Sequence, residues 1–347
     1  MKAIFYYVMR AYIALGFEFY YKKILVTGKE NIPKNKAIVF ISNHPNALID
    51  PLLVGTHSSR IIYYLTQASV FSGYIVKKIL AAANMLPIYR VRDGIGSKKL
   101  RSLNDEIFEQ CYDILYNKKA ILIYAEGSHN ARRKVRPFRK GFARIIFGAM
   151  DKYNDLEIDI IPVGMNYTEV SAYATKVCIN YGKPIAVKPF WEIKDRNEAV
   201  LKIKTEAESK LKLVTNHIDD SGNYEQIIQY FKSDEFLYPE KVNKKLKNIN
   251  LQTPPIKINK SKNKFNLLEF VVRINSFLPL LVWKKIKPMI KQKEYLSTFR
   301  FATGVVAFPI LYFVQKGIIT CFFSNTIGYI YLLLSFLSVF ILVKTRK

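Results

Sequence analysis

The chain has 347 residues, half of them hydrophobic, and carries 54 lysines and arginines against 27 aspartates and glutamates. This composition excludes a disordered chain and supplies enough apolar residues for a large core. The formal net charge of +27 favours partners with negative charge, and the apolar C-terminal region favours anionic membrane lipids over nucleic acid. The three cysteines are widely separated and form no CxxC pair, which predicts neither disulfides nor a thiolate metal site and indicates a reducing, cytosolic face.

Residues 1–29 begin with an apolar and aromatic stretch that Arg10 and Glu18 interrupt. It lacks the basic start and uninterrupted apolar run of a cleaved signal peptide. We predict a helix here that lies at a membrane interface, with an ordinary packing helix of the globular domain as the alternative. The interfacial interpretation uses six aromatic anchors: Phe5, Tyr6, Tyr7, Tyr12, Phe17 and Phe19.

Residues 30–221 are predicted to form an α/β domain, because short runs rich in β-branched residues alternate with amphipathic stretches. The clearest helix is 98–116, where apolar residues recur at steps of three and four. A second amphipathic helix, 194–213, is expected to close the domain. The predicted strands are 37–42, 61–66, 85–89, 120–124, 158–164 and 176–181.

Residues 222–264 are polar and rich in lysine and asparagine, which predicts a connector between two parts of the chain. Weak periodicity around 227–237 allows a helix there. Residues 241–264 are predicted to be a solvated linker, with Pro254 and Pro255 in the middle.

Residues 265–347 are predicted to anchor the chain in a membrane with one or two transmembrane helices. Residues 265–283 are interrupted by two charges and a proline and are predicted to be interfacial, whereas 299–315 and 327–343 approach the ~17 residues that span a bilayer. Basic clusters outside both spans predict a hairpin in the cell membrane with both ends in the cytosol, which places the α/β domain on the cytosolic face. The turn is expected at 315–317 or at 324–326; a single span with a buried re-entrant piece and core helices of a soluble protein are the alternatives.

His44 and Asp50 follow the predicted strand 37–42, so they supply a proton acceptor and an orienting carboxylate at the rim of a sheet. Arg90 ends another strand, with Arg92 close behind it. The turn that begins at Glu126 follows a third strand and leads into a basic loop. Ligand sites of α/β sheets form at strand ends, and arginines there suit a phosphate monoester.

Together with an apolar run around Pro162, these segments resemble the four ordered motifs of the glycerolipid (phospholipid/glycerol) acyltransferase family, over roughly residues 30–190. The resemblance implies a mixed sheet flanked by helices. It also implies that His44 is the catalytic base and Asp50 its partner. The substrate-binding residues that it implies, around the phosphate of the acceptor, are Asn43, Arg90, Glu126, Gly127, Ser128 and Arg132.

Three positions depart from the family pattern. Five residues separate His44 from Asp50 where four are usual, Ala125 replaces a proline, and His129 replaces an arginine. The longer spacing resembles a divergent branch that includes fungal-type glycerol-3-phosphate and dihydroxyacetone-phosphate acyltransferases. The missing arginine leaves its phosphate contact to Arg132 or Arg133.

The function implied by the resemblance is that of a membrane-bound acyltransferase in phospholipid synthesis. It moves a fatty acyl group from acyl-CoA or acyl carrier protein to the hydroxyl of glycerol-3-phosphate or a related glycerophosphate, and it requires no cofactor and no metal. The absence of G-x-S-x-G argues against a covalent acyl-enzyme. Three alternatives remain open: a lysophosphatidate acceptor, an aminolipid hydroxyl as acceptor, and a non-enzymatic basic membrane adaptor.

The remaining histidines support no competing chemistry. A metal-dependent hydrolase built from His44, Asp50, His57, Glu126 and His129 is disfavoured, because no H-x-H or HExxH spacing is present. His57 is expected to be structural. His217 lies in a polar region where the sequence shows no partner.

Overall fold

A computed structural model describes residues 2–90, 93–219, 222–249 and 266–346. The first part of the chain alternates strands and helices. Its elements are α1 (Lys2–Glu18), β1 (Lys23–Thr27), β2 (Ala37–Ser42), α2 (Ile49–His57), β3 (Ile62–Gln67), α3 (Tyr74–Ala82), β4 (Met85–Ile88), α4 (Ser97–Tyr116), β5 (Ala120–Ile123), α5 (Gly141–Lys152), β6 (Ile158–Tyr167), β7 (Lys176–Tyr181), β8 (Ile185–Ala186), α6 (Lys188–Trp191) and α7 (Arg196–Val214).

The strands form one sheet in the order β1-β7-β6-β2-β5-β3-β4, with β8 pairing with β6. From β6 through β2, β5 and β3 to β4 neighbouring strands are parallel, whereas β7 and β8 run antiparallel to β6. The predicted α/β class and mixed sheet are therefore confirmed. Because β2, β5, β3 and β4 are parallel, their carboxyl ends lie at one edge, and the loops after β2, β4 and β5 emerge together there.

All six predicted strands are present, and 37–42 and 176–181 agree with the structure at both ends. The prediction missed β1, which lies before the predicted domain start at residue 30 and pairs in parallel with β7. It also missed the two-residue β8. Strand β8 has too few residues to show a local pattern, whereas β1 lies in the stretch 1–29 that was predicted to be a membrane-associated segment.

Helices cover both faces of the sheet and enclose two hydrophobic cores. One core packs α4, α5 and α7 against the sheet. The other packs α1 and α2 against the opposite face, and it includes the fully buried rings of Phe17 and Tyr21. Helix α7 begins at Asp195, whose carboxylate accepts the backbone N–H groups of Asn197 and Glu198 as an N-cap.

The region predicted to be a connector is folded as far as residue 249. It contains α8 (Tyr224–Ile228), a 3-10 turn at Ser233–Leu237 and α9 (Pro239–Leu246), so the expected solvated linker over 241–249 is wrong. Aromatic and aliphatic side chains that are widely spaced in the sequence form a small core here, which the high lysine content concealed: Ile218, Tyr224, Ile227, Phe231, Phe236 and Val242. Residues 250–264 of the predicted linker lie outside the described residues.

Residues 266–346 contain four α-helices and two short 3-10 turns, at Lys287–Met289 and Lys293–Tyr295. The α-helices are α10 (Leu267–Asn275), α11 (Phe277–Ile286), α12 (Leu296–Phe322) and α13 (Asn325–Thr345). Helices α12 and α13 pack against each other and are long and apolar enough to cross a membrane. The chain turns between them at Phe323 and Ser324, which agrees with the second of the two predicted turn positions.

Helix α1 connects the sheet domain to α12. The ring of Phe17 stacks on Phe301 with centroids 4.5 Å apart, and Gly16 lies so close to α12 that an added Cβ would be 2.6 Å from Cγ1 of Val305. Phe17 and Tyr6 are therefore core residues and not the interfacial anchors that were predicted. Phe5, Tyr7 and Tyr12 are exposed, together with Ile4, Val8 and Leu15 on the same helix.

Candidate active site

His44 and Asp50 form the centre of the site at the carboxyl end of β2. Nδ1 of His44 lies 2.8 Å from Oδ2 of Asp50. The same carboxylate oxygen accepts the backbone N–H of Asn46 at 2.7 Å, and the other, Oδ1, accepts the hydroxyl of Tyr167 at 2.6 Å. The Asp50 side chain is fully buried, whereas that of His44 is 13% exposed. The imidazole therefore presents one edge to the surface while a buried, fully bonded carboxylate holds the other.

The loop between β2 and α2 explains why Asp50 faces His44. Helix α2 begins before Asp50, with Leu48 at the N-cap, so Asp50 lies in its first turn. Its carboxylate bonds back to Asn46 and does not cap the helix. The five residues between His44 and Asp50 thus form a closed loop around the carboxylate.

Tyr167 was not identified from the sequence. It lies at the end of β6, the neighbour of β2, and burial raises the pKa of its phenol well above the ordinary value, with the Asp50 charge adding to the rise. The phenol therefore stays protonated and donates to Asp50. Its position at the end of an apolar strand was the available signal, but the register that places it beside Asp50 is a long-range property of the sheet.

The imidazole of His44 is held between two aromatic side chains. Tyr124, at the end of β5, stacks on it with ring centroids 3.7 Å apart and planes 11° from parallel. His129 approaches it edge-on at 5.7 Å. The hydroxyl of Tyr124 is buried and has no hydrogen-bond partner among the described residues. Tyr124 therefore contributes through its ring and not through its hydroxyl.

Glu126 contacts a basic side chain and does not face the open side of the site. Its carboxylate accepts Nε of Arg136 at 2.7 Å and the Arg136 backbone N–H at 3.3 Å. Burial raises the pKa of Glu126, and the charge of Arg136 partly opposes that rise. The Arg136 guanidinium also donates to Oγ of Ser128 at 2.9 Å. Glu126 and Ser128 thus orient Arg136, whose importance the sequence did not reveal.

Gly127 is required by the shape of this turn. Its φ of +78° lies in the left-handed region, and a Cβ there would be 2.6 Å from Nε of Arg139. Arg139 thus lies across the turn, and it is exposed. Like Arg136 of the predicted basic loop, it is a basic side chain beside the site that was not among the predicted substrate-binding residues.

Arg132 and Arg133 were proposed to replace the arginine that is missing from the family motif. The Arg133 guanidinium instead bonds to the backbone of β6 and the residue after it. It donates to the carbonyl oxygens of Tyr167 at 2.7 Å and Thr168 at 2.8 Å and lies over the Phe236 ring. It therefore joins β6 to the small core after α7. Arg132 is exposed, with its guanidinium 5.1 Å from the ring of Tyr224, so it lies on the rim of the loop.

Arg90 and Asn43 have different environments. Arg90 follows β4, is half-buried, and donates its backbone N–H to Asp93 at 2.8 Å. Three strand spacings separate β4 from β2, roughly 14 Å across the same sheet edge. Asn43 bonds the backbone of Met165 through both amide atoms, at 3.0 and 2.8 Å. This double contact joins the ends of β2 and β6, so the geometry does not support substrate binding by Asn43. Arg92 lies outside the described residues.

The other histidines have structural contacts. His57 bonds the carbonyl oxygen of Leu53 at 3.1 Å, and burial lowers its pKa. His217, for which no partner was foreseen, accepts the backbone N–H of Val135 at 3.1 Å and lies 3.2 Å from Asp219. Among the described residues, no three His, Cys, Asp or Glu side chains are grouped as metal ligands.

The segment before α12 forms a wall of the site that the sequence did not predict. Nε2 of His129 lies 3.2 Å from Oε1 of Gln292, and Tyr295 packs edge-on against the His129 ring. The hydroxyl of Thr298, in the first turn of α12, accepts the backbone N–H of Leu48 at 3.2 Å. The loop between β2 and α2 thus lies at the beginning of the first long apolar helix.

Three kinds of comparison with known proteins each found a similarity. Residues 23–166, less than half of the chain, match a protein-family model described as Acyltransferase. The chain is 28% identical over 81 residues to glycerol-3-phosphate O-acyltransferase 1 of Saccharomyces cerevisiae, a segment that covers 23% of this chain and only 11% of the yeast protein. The crystal structure of the 1-acyl-sn-glycerophosphate acyltransferase PlsC from Thermotoga maritima aligns with a TM-score of 0.39 and 18% identity, over 55% of this chain and 72% of that chain.

The segment matched by the family model contains both the His44–Asp50 pair and the turn at Glu126 and Gly127. These groups lie on adjacent parallel strands, β2 and β5, at one edge of the sheet. Residues 23–166 of this chain are therefore similar to the acyltransferase family, over a segment that contains the candidate site.

Proposed function

We propose that this chain is a membrane-bound O-acyltransferase. It moves a fatty acyl group from a thioester donor, acyl-CoA or acyl carrier protein, to the hydroxyl of glycerol-3-phosphate or a related glycerophosphate. The observation that carries the proposal is the 2.8 Å contact between Nδ1 of His44 and the buried Asp50 carboxylate. The similarity to the yeast glycerol-3-phosphate O-acyltransferase 1 favours glycerol-3-phosphate as the acceptor.

The contact with Asp50 assigns the proton on His44. Nδ1–H donates to the carboxylate, which leaves the lone pair of Nε2 free at the exposed edge. Nε2 removes the proton of the acceptor hydroxyl as its oxygen bonds to the thioester carbonyl carbon. The resulting tetrahedral species expels the thiolate, which recovers the proton from the imidazolium. Asp50 stabilises the imidazolium throughout, and the bonds from Tyr167 and Asn46 fix the carboxylate.

Basic side chains around the strand ends suit the phosphate of the acceptor. Arg90, Arg136 and Arg139 follow β4 and β5, and Arg132 lies on the rim of the loop after β5. Guanidinium groups bind phosphate through two parallel N–H bonds, which sets position as well as affinity. In this proposal Glu126, Gly127 and Ser128 shape the pocket indirectly, because they orient Arg136 and leave room for Arg139.

We also propose a location in the cell membrane, which the two long apolar helices support. In this proposal helices α12 and α13 cross the cell membrane. Helix α12 enters the membrane directly beside the loop between β2 and α2, which carries His44. Five lysines in the last turn of α11 and the segment that leads to α12 (Lys284, Lys285, Lys287, Lys291 and Lys293) are exposed and attract anionic lipid headgroups. The positive-inside rule then places the site on the cytosolic face.

The test is acyl transfer by purified protein with a labelled acyl thioester and a panel of acceptors. The panel contains glycerol-3-phosphate, dihydroxyacetone phosphate, lysophosphatidate and an aminolipid. We expect one labelled product, from a glycerophosphate. A product from lysophosphatidate or the aminolipid alone would replace the proposed acceptor, and no product from any acceptor would favour the non-enzymatic adaptor.

His44→Ala is expected to abolish this transfer because no other described side chain replaces its Nε2 at the edge of β2. His57→Gln is the matched control, since His57 bonds only within its own helix, and it should keep near-normal turnover. A folded His44→Ala protein that turns over normally would contradict the mechanism. For Arg90→Ala, the Michaelis constant should rise more for the phosphorylated acceptor than for the thioester.

A further inference from the structure

Helices α10 and α11 form a short hairpin that packs alongside the two long apolar helices, α12 and α13. Helix α10 packs against α13, and Leu268, near its start, contacts a hydrophobic cluster that includes Val339 and Val343 of α13. At the turn between the two helices, Ser276 bonds the hydroxyl of Tyr312 in α12 at 2.6 Å. Near the end of α11, Trp283 lies under the guanidinium of Arg300. Helix α10 therefore runs along α13 away from the sheet domain, and α11 returns along α12 towards it.

The turn of this hairpin lies far from the sheet domain. At 1.5 Å per residue, Tyr312 is about 18 Å along α12 from Arg300, which bonds the sheet domain at Ser171. Ser335, which contacts Asn275, is about 14 Å along α13 from Lys344, which bonds Glu18 and Tyr21. With α12 and α13 across a bilayer, the turn lies near the middle of its ~30 Å hydrocarbon core.

The polar groups at the turn are bonded to one another. The Asn275 side chain donates to Oγ of Ser335 at 3.0 Å and accepts the hydroxyl of Tyr331. Its backbone carbonyl, one of the unpaired carbonyls at the end of α10, accepts Nε2 of Gln315 at 3.1 Å. Such internal bonding is what a helix end needs where no water is present.

The outer surface of the hairpin is apolar. Its exposed side chains include Leu267, Phe270, Val271, Ile274, Phe277, Leu278, Leu281 and Val282. Between 267 and 283 only Glu269 and Arg273 carry charge, and they pair one turn apart at 2.6 Å. Ionisable side chains inside membranes usually form such pairs. Of the two, Glu269 is closer to the sheet domain.

Helices of this length do not span a bilayer. α10 and α11 are 9 and 10 residues long, which gives each only about 14 to 15 Å. We propose that they form a re-entrant hairpin, which enters the leaflet next to the sheet domain, turns at Asn275 and Ser276, and presents its outer side chains to lipid acyl chains. This rests on the proposed membrane span of α12 and α13, and it replaces the interfacial position predicted for 265–283.

The experiment measures the depth of a fluorescent label. Single cysteines replace Leu267, Ile274 or Val282 in a Cys321→Ser background, and Ile310→Cys on α12 serves as the control for the membrane span. All four side chains are exposed, so the labels do not disturb the core. The proteins are reconstituted in vesicles whose lipids carry a nitroxide either at the headgroup or deep in the acyl chain. Only variants that retain the parent thermal unfolding midpoint are compared.

We expect the acyl-chain nitroxide to quench the label at Ile274 about twofold more than the headgroup nitroxide, because this residue lies near the bilayer centre. The labels at Leu267 and Val282 should show the reverse preference. Equal, shallow quenching at all three sites together with deep quenching at Ile310 would overturn the re-entrant hairpin alone. Shallow quenching at Ile310 would overturn both the hairpin and the membrane span, and neither result bears on acyl transfer.

Discussion

Asp50 is bonded at both oxygens, and these bonds keep it aligned with His44. Its partners are Nδ1 of His44, the backbone N–H of Asn46 and the hydroxyl of Tyr167, all within 2.8 Å. A buried carboxylate with one bond removed gains freedom to rotate away from the imidazole. The orientation of the proposed base thus depends on a tyrosine that is itself buried behind Asp50.

Tyr167→Phe should therefore lower kcat about tenfold, which corresponds to about 1.4 kcal/mol and lies at the low end for a hydrogen bond to a charged group. Tyr124→Phe is the matched control, because it also deletes a buried phenol hydroxyl near His44, but one without a hydrogen-bond partner among the described residues. Steady-state kinetics at saturating thioester distinguish the two. Equal losses for both variants would show that the Tyr167 hydroxyl has no special effect.

Glu126 and Arg136 allow a second prediction at this scale, one about stability. The Glu126 side chain is only 2% exposed, so Arg136→Ala leaves a buried carboxylate without its cation. We expect the free energy of unfolding to fall by about 3 kcal/mol, the usual cost of breaking a buried ion pair from one side. Arg132→Ala, at an exposed guanidinium, should change it by less than about 1 kcal/mol. Thermal unfolding in detergent measures both, and equal shifts would contradict the structural role of Arg136.

Among the elements, those with a pattern in their own residues could be predicted, and those that depend on a distant partner could not. Strand β2 is a continuous apolar run, and α4 has apolar residues at helical spacing, so both are visible in the sequence. Strand β1 exists because β7 pairs with it, and the small core at Tyr224 and Phe236 joins residues that look isolated in a lysine-rich stretch.

The same limit applies to the candidate site. His44, Asp50 and Glu126 could be named because they follow predicted strands within short motifs. Tyr167 and Arg136 could not, because only the sheet register and the folding of the loop after β5 place them beside Asp50 and Glu126. Tyr295 and Gln292 reach His129 from a part of the chain that is remote in sequence.

The crossing of α1 and α12 gives a prediction at the scale of elements. Gly16→Ala places a Cβ 2.6 Å from Val305, which forces the helices apart and should cost about 1 to 3 kcal/mol of stability. Gly304→Ala is the control on α12, because nothing lies within 4 Å of its added Cβ. That variant should be neutral or slightly stabilising.

Val305→Ala combined with Gly16→Ala should restore part of the loss, since it removes the methyl groups that the new Cβ meets. Thermal unfolding of the three variants in the same detergent provides the measurement. If the single Gly16→Ala variant unfolds like the parent, α1 and α12 are not packed as closely as Gly16 indicates.

At the scale of the whole molecule, the two ends of α12 should lie on opposite sides of the membrane. The loop between β2 and α2 contacts the first turn of α12. The exposed Cys321 lies in the last turn of α12. A membrane-impermeant maleimide should therefore label Cys321 only from the face opposite the sheet domain. Leu201→Cys, on an exposed position of α7, should be labelled only from the face that carries the site.

The native cysteines allow this experiment without the removal of Cys111 or Cys178. Burial raises the pKa of Cys111 to about 12 and that of Cys178 to about 11, so at neutral pH neither has the thiolate that reacts with a maleimide. Cys321→Ser should remove all labelling of the parent protein. If Cys321 and the cysteine at 201 are labelled from the same face of sealed vesicles, then α12 does not cross the membrane. The exposed lysines between residues 284 and 293 then hold the protein on the membrane surface only.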